Sequence, residues 1–185
     1  MGTTNCPVTK RPICYCKETL RKLFTDHILY TKIVITDIIE NLGNTNDDIN
    51  RLLKNQIEIG NYFSKTIGID SGKSLTGLLT THIQLAGSCI DAIKKNDNVL
   101  LKTNNDKLFE NSNKISAFFH LLNPEKLYLN KVKKIFKTHN NFVLNISKLQ
   151  QNKQYKKVVI LFDAYYKHML QFSDLLYETI ILQKK

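Results

Sequence analysis

Three histidines recur at almost constant spacing along this chain, and each lies in a stretch with the hydrophobic period of an α-helix. His27, His82 and His139 are separated by 55 and 57 residues (82 − 27 and 139 − 82). A polar turn and a second amphipathic segment follow each of the three stretches. A repeat of this length indicates one supersecondary unit that occurs three times, and it constrains the fold more than any local propensity does.

The repeated unit is a pair of helices. Its apolar residues recur at helical spacing, no segment has the alternation of a strand, and short polar turns separate the helices. The predicted helices span residues 16–41, 47–67, 72–95, 99–122, 125–150 and 155–182. A left-handed cap is expected at Gly43, and a break in the fourth helix near Asn104 and Asn105. The sequence therefore predicts an all-α protein, a six-helix up-and-down bundle built from three helical-hairpin repeats.

Residues 1–15 lack this periodicity and contain Pro7 and Pro12, so they are predicted to form a flexible N-terminal arm. Residues 16–185 are then a single helical bundle domain. No run of about 18 uncharged apolar residues is present, so no membrane span is predicted. Without a secretory signal, an intracellular location is expected, either in a host cytoplasm or in a virion.

No arrangement of residues typical of catalysis is visible. A Gly-Lys-Ser sequence resembles the end of a phosphate-binding loop, but Gly68 and Gly72 enclose three residues where that motif needs four. Cys14 and Cys16 have no second pair at zinc-finger spacing, and Cys89 falls on an apolar helix face. The sequence thus indicates a protein that is not an enzyme.

Counting residues from each turn places every histidine level with a polar residue of the returning helix. These polar residues are Glu58 in the first hairpin, Lys114 in the second, and Lys167 or His168 in the third. Histidines that converge in a bundle core beside a carboxylate can hold a divalent transition metal or a small ligand. The candidate metal or ligand residues are His27, Glu58, His82, His139 and His168.

A structural polar layer is the other interpretation of the same histidines. The Glu-x-x-His pattern of bundle metal sites is absent, and Lys114 places a cation where a further carboxylate would help. In this interpretation no cofactor is bound, and the imidazoles form hydrogen bonds with Asn55 and Asn111.

The net charge of the chain is +11, and it is unevenly distributed. Residues 126–157 contain nine lysines and no acidic residue. One interpretation is a solvated face in a protein encoded by an AT-rich genome. The other is non-specific attraction to nucleic acid or another polyanion. The candidate lysines for a polyanion are Lys131, Lys133, Lys134, Lys137, Lys153, Lys156 and Lys157.

With these features, the chain resembles a family of uncharacterised small helical proteins of bacteria, some of which are labelled acetylglutamate kinase without a supporting motif. The similar segments are 21–31, 51–61, 72–83, 108–115 and 168–176. The resemblance implies the bundle fold and equivalents of His27, His82, His139 and His168. Lys114 departs from it, since the family pattern has an acid there. The abundance of Asn, Lys and Ile is similar to that of proteins from mimivirus-like giant DNA viruses.

These observations predict a non-enzymatic helical protein that acts as a structural or interaction component, for example in a virion. A protein partner or self-association is expected. The alternatives are a metal- or small-ligand-binding bundle centred on the histidines, and a protein that binds polyanions through its lysines.

Overall fold

The computed structural model describes residues 16–182, and within this range the chain forms six α-helices and a final π-helical turn. The α-helices are α1 (Lys17–Glu40), α2 (Thr45–Ile67), α3 (Ile69–Lys94), α4 (Asn98–Leu122), α5 (Leu129–Gln151) and α6 (Tyr155–Leu176). The turn is Tyr177–Ile181. The predicted all-α bundle of three helical hairpins is confirmed. The predicted arm at residues 1–15 lies outside the described residues.

The six helices close into a ring. Each helix packs against the next in the chain, and α6 returns to pack against α1. In addition, α1, α3 and α5 contact one another, so the three histidine-bearing helices run side by side in the same direction. The even helices fill the grooves between them, α2 between α1 and α3, α4 between α3 and α5, and α6 between α5 and α1. This gives the bundle a pseudo-threefold arrangement in which every hairpin faces the same centre.

Two predictions about the helices are wrong. α4 ends at Leu122, because helix is disfavoured at the residue before proline, but α5 begins at Leu129 and not at 125. Residues 123–128 instead form a turn in which the amides of Lys126 and Leu127 donate to the carbonyl of Asn123. The expected break in α4 is absent from the structure. The helix continues through Asn104, whose side-chain amide donates a hydrogen bond of 3.2 Å to the carbonyl of Ser88 on α3.

The turns inside the three hairpins share one helix-capping geometry. Each turn has a residue in the left-handed conformation 14 positions after the histidine of that repeat: Asn41, Asn96 and Lys153, with φ of 61°, 54° and 55°. The next amide then donates to the carbonyl five residues earlier, at 3.0, 3.0 and 2.9 Å, as in a Schellman motif. The left-handed cap predicted at Gly43 is therefore wrong; it lies two residues earlier, on an asparagine that tolerates the conformation.

The third of these positions is the least suited to its conformation, because lysine lacks the local hydrogen bonding that lets asparagine adopt it. We expect Lys153→Gly to raise the free energy of unfolding by about 1 kcal/mol. Lys167→Gly removes the same charge from the exposed face of α6 and should instead lower it by about 1 kcal/mol. Urea denaturation of both variants tests this, and a loss of stability in Lys153→Gly would contradict it.

The connection between α2 and α3 is a single residue, Gly68, at φ 91° and ψ 154°, a conformation that only glycine adopts readily. On either side of this connection, Gly60 of α2 and Gly72 of α3 allow the two helices to approach each other closely. A Cβ atom on either glycine would meet the backbone carbonyl oxygen of the other at 2.8 Å and would overlap Thr76 or Ser64. The Gly-Lys-Ser sequence is thus part of a helix crossing.

Candidate functional site

The three repeated histidines meet in the centre of the bundle. The ring centroids of His27 and His82 lie 5.7 and 5.4 Å from that of His139. All three side chains are buried, with 6%, 3% and 4% of their surfaces exposed. We call these three side chains the histidine layer. Phe136 and Phe119 lie on one side of it, and Tyr165 contacts His139 at a centroid distance of 5.5 Å.

Two of the three imidazoles have an amide partner on the returning helix of their own hairpin. His82 Nδ1 lies 3.1 Å from Asn111 Oδ1, which can only accept, so this nitrogen of His82 carries the proton. His27 Nδ1 lies 3.3 Å from Gln56 Nε2, and the same amide nitrogen also donates to Leu52 O at 2.8 Å and to Asn55 Oδ1 at 3.2 Å. These contacts join α1 to α2 and α3 to α4 at the level of the histidine layer.

A second set of contacts repeats in all three hairpins. The carbonyl four residues before each histidine accepts a hydrogen bond from a side chain of the following helix. The three pairs are Asn55 Nδ2 to Leu23 O at 2.9 Å, Asn111 Nδ2 to Leu78 O at 3.3 Å, and His168 Nε2 to Ile135 O at 3.1 Å. His168 is therefore the third-repeat counterpart of two asparagines, and its half-buried side chain braces the two helices of its hairpin.

Glu58, which was predicted to add a carboxylate to the histidine layer, does not lie in that layer. Its carboxylate forms an ion pair of 3.4 Å with Arg51, and about a third of the side chain is exposed. Lys114 is also at the surface, where it pairs with Glu110 at 2.8 Å. Gln56, the residue that contacts His27, was not predicted from the sequence. It lies 29 positions after His27, the interval that also separates His82 from Asn111 and His139 from His168, and this regularity could have identified it.

Burial keeps the histidine layer uncharged. Desolvation, with a contribution from the proximity of His82, lowers the pKa of His27 to about 3. Desolvation also lowers the pKa of His82 to about 4, against the opposing effect of its hydrogen bond to Asn111. The pKa of His139 falls well below its usual value for the same reason and because the other histidines surround it. The three rings are therefore neutral at pH 7.

The surroundings of the histidine layer fit a structural role better than ligand binding. The cavity beside the three rings measures about 30 Å³, which is room for one water molecule and not for an organic ligand. Between residues 16 and 182, no group of three or more His, Cys, Asp or Glu side chains is placed to hold a metal ion. Metal binding at these histidines stays a prediction. Cys89 offers no nucleophile there, because burial raises the pKa of its thiol to about 11.

The predicted lysines fall into two groups at opposite ends of α5. Lys131, Lys133, Lys134 and Lys137 belong to its first three turns, whereas Lys153, Lys156 and Lys157 lie beyond its last residue. The length of α5 between Lys137 and its last residue, Gln151, is about 21 Å at about 1.5 Å per residue. All seven are exposed except Lys133, which is half-buried.

One exposed side of α5 connects the two groups of lysines. Its residues follow the helical spacing i, i+3, i+7, i+11 and i+14, and we call them the lysine face: Lys134, Lys137, Asn141, Asn145 and Lys148. The lysine face contains no acidic residue. Lys148, which the sequence did not single out as a candidate, lies on this side near the C-terminal end of α5, so the lysine face has lysines near both of its ends.

Comparisons with known proteins return no match: no family model fits the chain, and no curated protein or solved structure is significantly similar to it. The resemblance to bacterial helical proteins and the viral origin stay predictions. Among the described helices, α1 to α6, none combines the length and the apolar character needed to cross a bilayer. Fold and core geometry together define a closed bundle of three helical hairpins around a buried histidine layer.

Proposed function

We propose that this protein is a non-enzymatic binding protein whose lysine face holds a polyanion, with nucleic acid as the principal ligand class. The proposal rests on one observation, that these lysines have no acidic partner. Within residues 16–182, none of the seven predicted lysines, nor Lys148, forms an ion pair. About half of the basic residues on α1 to α4 form ion pairs, among them Lys22 with Asp26 and Lys102 with Asp106. The positive charge of α5 and α6 is thus left for an external partner.

The helix ends support this proposal. The first turns of α1, α2 and α3 carry acidic residues, which the positive end of a helix dipole favours, and α4, which has none in its first turn, is capped by the side chain of Asp97. The first turns of α5 and α6 carry no acidic residue, and neither helix has a side-chain cap. Lys131 and Lys156 stand in those two turns instead, an arrangement that costs helix stability. A bound anion would offset this cost at the N-terminus of α5 and at the N-terminus of α6, because it would interact favourably with the positive end of each helix dipole and with the lysines there.

The ligand is expected to be recognised by charge and not by base sequence. Lysine offers a compact, hydrated charge without the planar fork that arginine uses to read guanine, and all the basic residues of the lysine face are lysines. A duplex carries about one phosphate charge per 1.7 Å of its axis, so α5, which is about 35 Å long, spans about 10 base pairs. Counterion release then supplies most of the affinity.

Duplex binding followed by fluorescence anisotropy at increasing salt concentration tests the proposal. We expect affinity to fall steeply with salt, and equally for two unrelated sequences. A triple variant, Lys134→Gln, Lys137→Gln and Lys148→Gln, should bind at least tenfold more weakly near physiological salt, with a shallower salt slope by about 3.

The matched control removes three charges from other helices, by Lys22→Gln, Lys102→Gln and Lys114→Gln, whose lysines are already in ion pairs. It should retain most of the affinity. If the two triple variants lose affinity equally, the net charge of the protein alone determines duplex binding. That result would contradict a site on α5. Failure of the unmodified protein to bind at low salt would remove the proposal altogether.

A further inference from the structure

The first two turns of α6 expose large apolar side chains. Val159 and Ile160 are 61% and 71% exposed, and Tyr155 is 48% exposed. Val158 is buried in the bundle, and the next two residues follow it around the helix onto the outer side. Single exposed apolar residues are ordinary on a protein surface, whereas a contiguous group of them marks an interaction surface.

The neighbouring helix α1 widens this apolar surface. The hydroxyl groups of Thr25 on α1 and Tyr166 on α6 lie 3.3 Å apart, which fixes the relative height of the two antiparallel helices. Counting eight residues from this contact along each helix places Ile33 level with Val158. Ile33 is exposed, and so is Leu29 one turn earlier. Exposed apolar side chains are therefore present on both helices at this height.

Positive charge accompanies the apolar side chains of α6. Lys153, Lys156 and Lys157 are all exposed, and between residues 16 and 182 no acidic side chain forms an ion pair with them. The first acid along the outer side of α6 is Asp163, about one turn beyond Ile160. We call this combination of lysines and exposed apolar residues the α6 patch: Lys153, Tyr155, Lys156, Lys157, Val159 and Ile160.

We propose that the α6 patch docks on the surface of an anionic phospholipid bilayer. The three lysines are complementary in charge to the lipid headgroups. Val159 and Ile160 enter the boundary between headgroups and acyl chains, where apolar side chains leave water. Tyr155 has an amphipathic ring of the kind that is enriched at the level of the headgroups.

A bilayer suits the α6 patch better than either of the other two occupants. A nucleic acid would use the lysines, but its phosphates offer nothing to Val159 and Ile160. A second copy of this chain would bring two proteins of net charge +11 together, with the same lysines facing one another. Only the lipid surface combines negative charge with an apolar layer directly beneath it.

Sedimentation with large vesicles measures the binding. We expect the protein to bind vesicles of phosphatidylcholine and phosphatidylserine in a two-to-one ratio, and to bind pure phosphatidylcholine vesicles at least tenfold more weakly. Binding should weaken as the salt concentration rises. Lys156→Gln and Lys157→Gln should each lower the partition coefficient on the anionic vesicles about fivefold.

Val159→Ser combined with Ile160→Ser removes the apolar side chains and keeps every charge. This double variant should bind the anionic vesicles about tenfold more weakly or worse, and its duplex binding should equal that of the unmodified protein. The matched control is Ile69→Ser with Leu121→Ser, which removes two side chains of similar exposure, 67% and 75%, from the opposite end of the bundle. It should bind the vesicles normally.

A fluorescent label at the α6 patch provides a second measurement. The chain contains no tryptophan, so Ile160→Trp introduces a single indole. Its emission should shift to the blue when anionic vesicles are added, because the ring leaves water, and should not shift when a DNA duplex is added. Leu121→Trp, the equivalent label at the opposite end of the bundle, should show no shift with vesicles.

Thermal denaturation establishes that each variant is folded before binding is compared. The proposal is overturned if the unmodified protein does not bind the anionic vesicles, or if the two double variants bind them equally well. A dimer in sedimentation velocity that Val159→Ser with Ile160→Ser abolishes, or a loss of duplex affinity in that variant, would show a different occupant and would also overturn it. Failure of duplex binding by the unmodified protein would leave this inference intact, since Val159 and Ile160 are not part of the lysine face.

Discussion

Acidification from pH 7 to pH 5 is expected to lower the free energy of unfolding by about 5 kcal/mol, with each imidazole of the histidine layer contributing about 2 kcal/mol or slightly less. In the unfolded chain these histidines bind protons with a pKa of about 6.5. In the folded protein the pKa of His27 is about 3, that of His82 is about 4, and that of His139 is also far below 6.5.

The direction of this effect follows from proton binding in the two states. Below pH 6.5 the unfolded chain binds more protons than the folded one, so unfolding becomes more favourable as the pH falls. The contribution of the three histidines is complete above pH 6.5 and is lost progressively between pH 6.5 and about 3. Asp37 acts in the opposite direction, because burial and the adjacent Asp48 raise the pKa of its carboxyl group, and it offsets part of the loss.

Urea denaturation at pH 7, 6 and 5 measures the effect. The matched variant is His139→Leu, which removes the central ring and should reduce the pH-dependent part of the stability by about a third, whatever it does to stability at pH 7. A stability that is the same at pH 7 and pH 5 would mean that the three imidazoles are accessible to water or already charged in the folded protein.

Gly60→Ala should lower the free energy of unfolding by about 3 kcal/mol, the upper end of the usual cost of overpacking. The added methyl group would overlap Thr76 and approach the carbonyl oxygen of Gly72 to 2.8 Å. Thr76 cannot simply rotate its hydroxyl away without losing the 3.1 Å hydrogen bond to that same carbonyl. The two helices must therefore separate. Gly72→Ala should behave in the same way, through Ser64 and the carbonyl of Gly60.

Two other glycines of α3 provide the control. Gly77 and Gly87 lie in the interior of the helix, and an added Cβ atom would have nothing within 4 Å at either position. Gly77→Ala and Gly87→Ala should each raise the free energy of unfolding by about 1 kcal/mol, since alanine is the better helix former. Chemical denaturation measures the free energy of unfolding of all four variants. A stable Gly60→Ala protein would show that α2 and α3 are not held in close contact.

The sequence predicts most of the fold, because hydrophobic period and turn composition are local properties. The spacing of His27, His82 and His139 revealed the repeat, and it recurs unchanged in the left-handed residues Asn41, Asn96 and Lys153. The Gly60–Gly72 crossing was not predicted. It depends on how closely two helix axes approach, which no residue pattern within one helix specifies.

The candidate site was predicted only in part, for a geometric reason. Counting from a turn gives the height of a residue along its helix but not its direction around the axis. Glu58 and Gln56 differ by only about 3 Å in height, yet they point about 200° apart, so one reaches Arg51 at the surface and the other reaches His27. A cleft of about 650 Å³ between α1, α2 and α3, with Asp37 in its wall, was also not predicted, because it arises where three helices fail to fill the space between them.

The contact between α6 and α1 has a consequence for how the molecule loses its structure. Stacked repeat proteins have two end units that need polar caps, and they can fray from either end. Here the last hairpin meets the first, so no unit is terminal, and each one supplies a third of the same interior. Detaching any hairpin would open the whole centre to solvent, and the bundle should therefore melt as one cooperative unit.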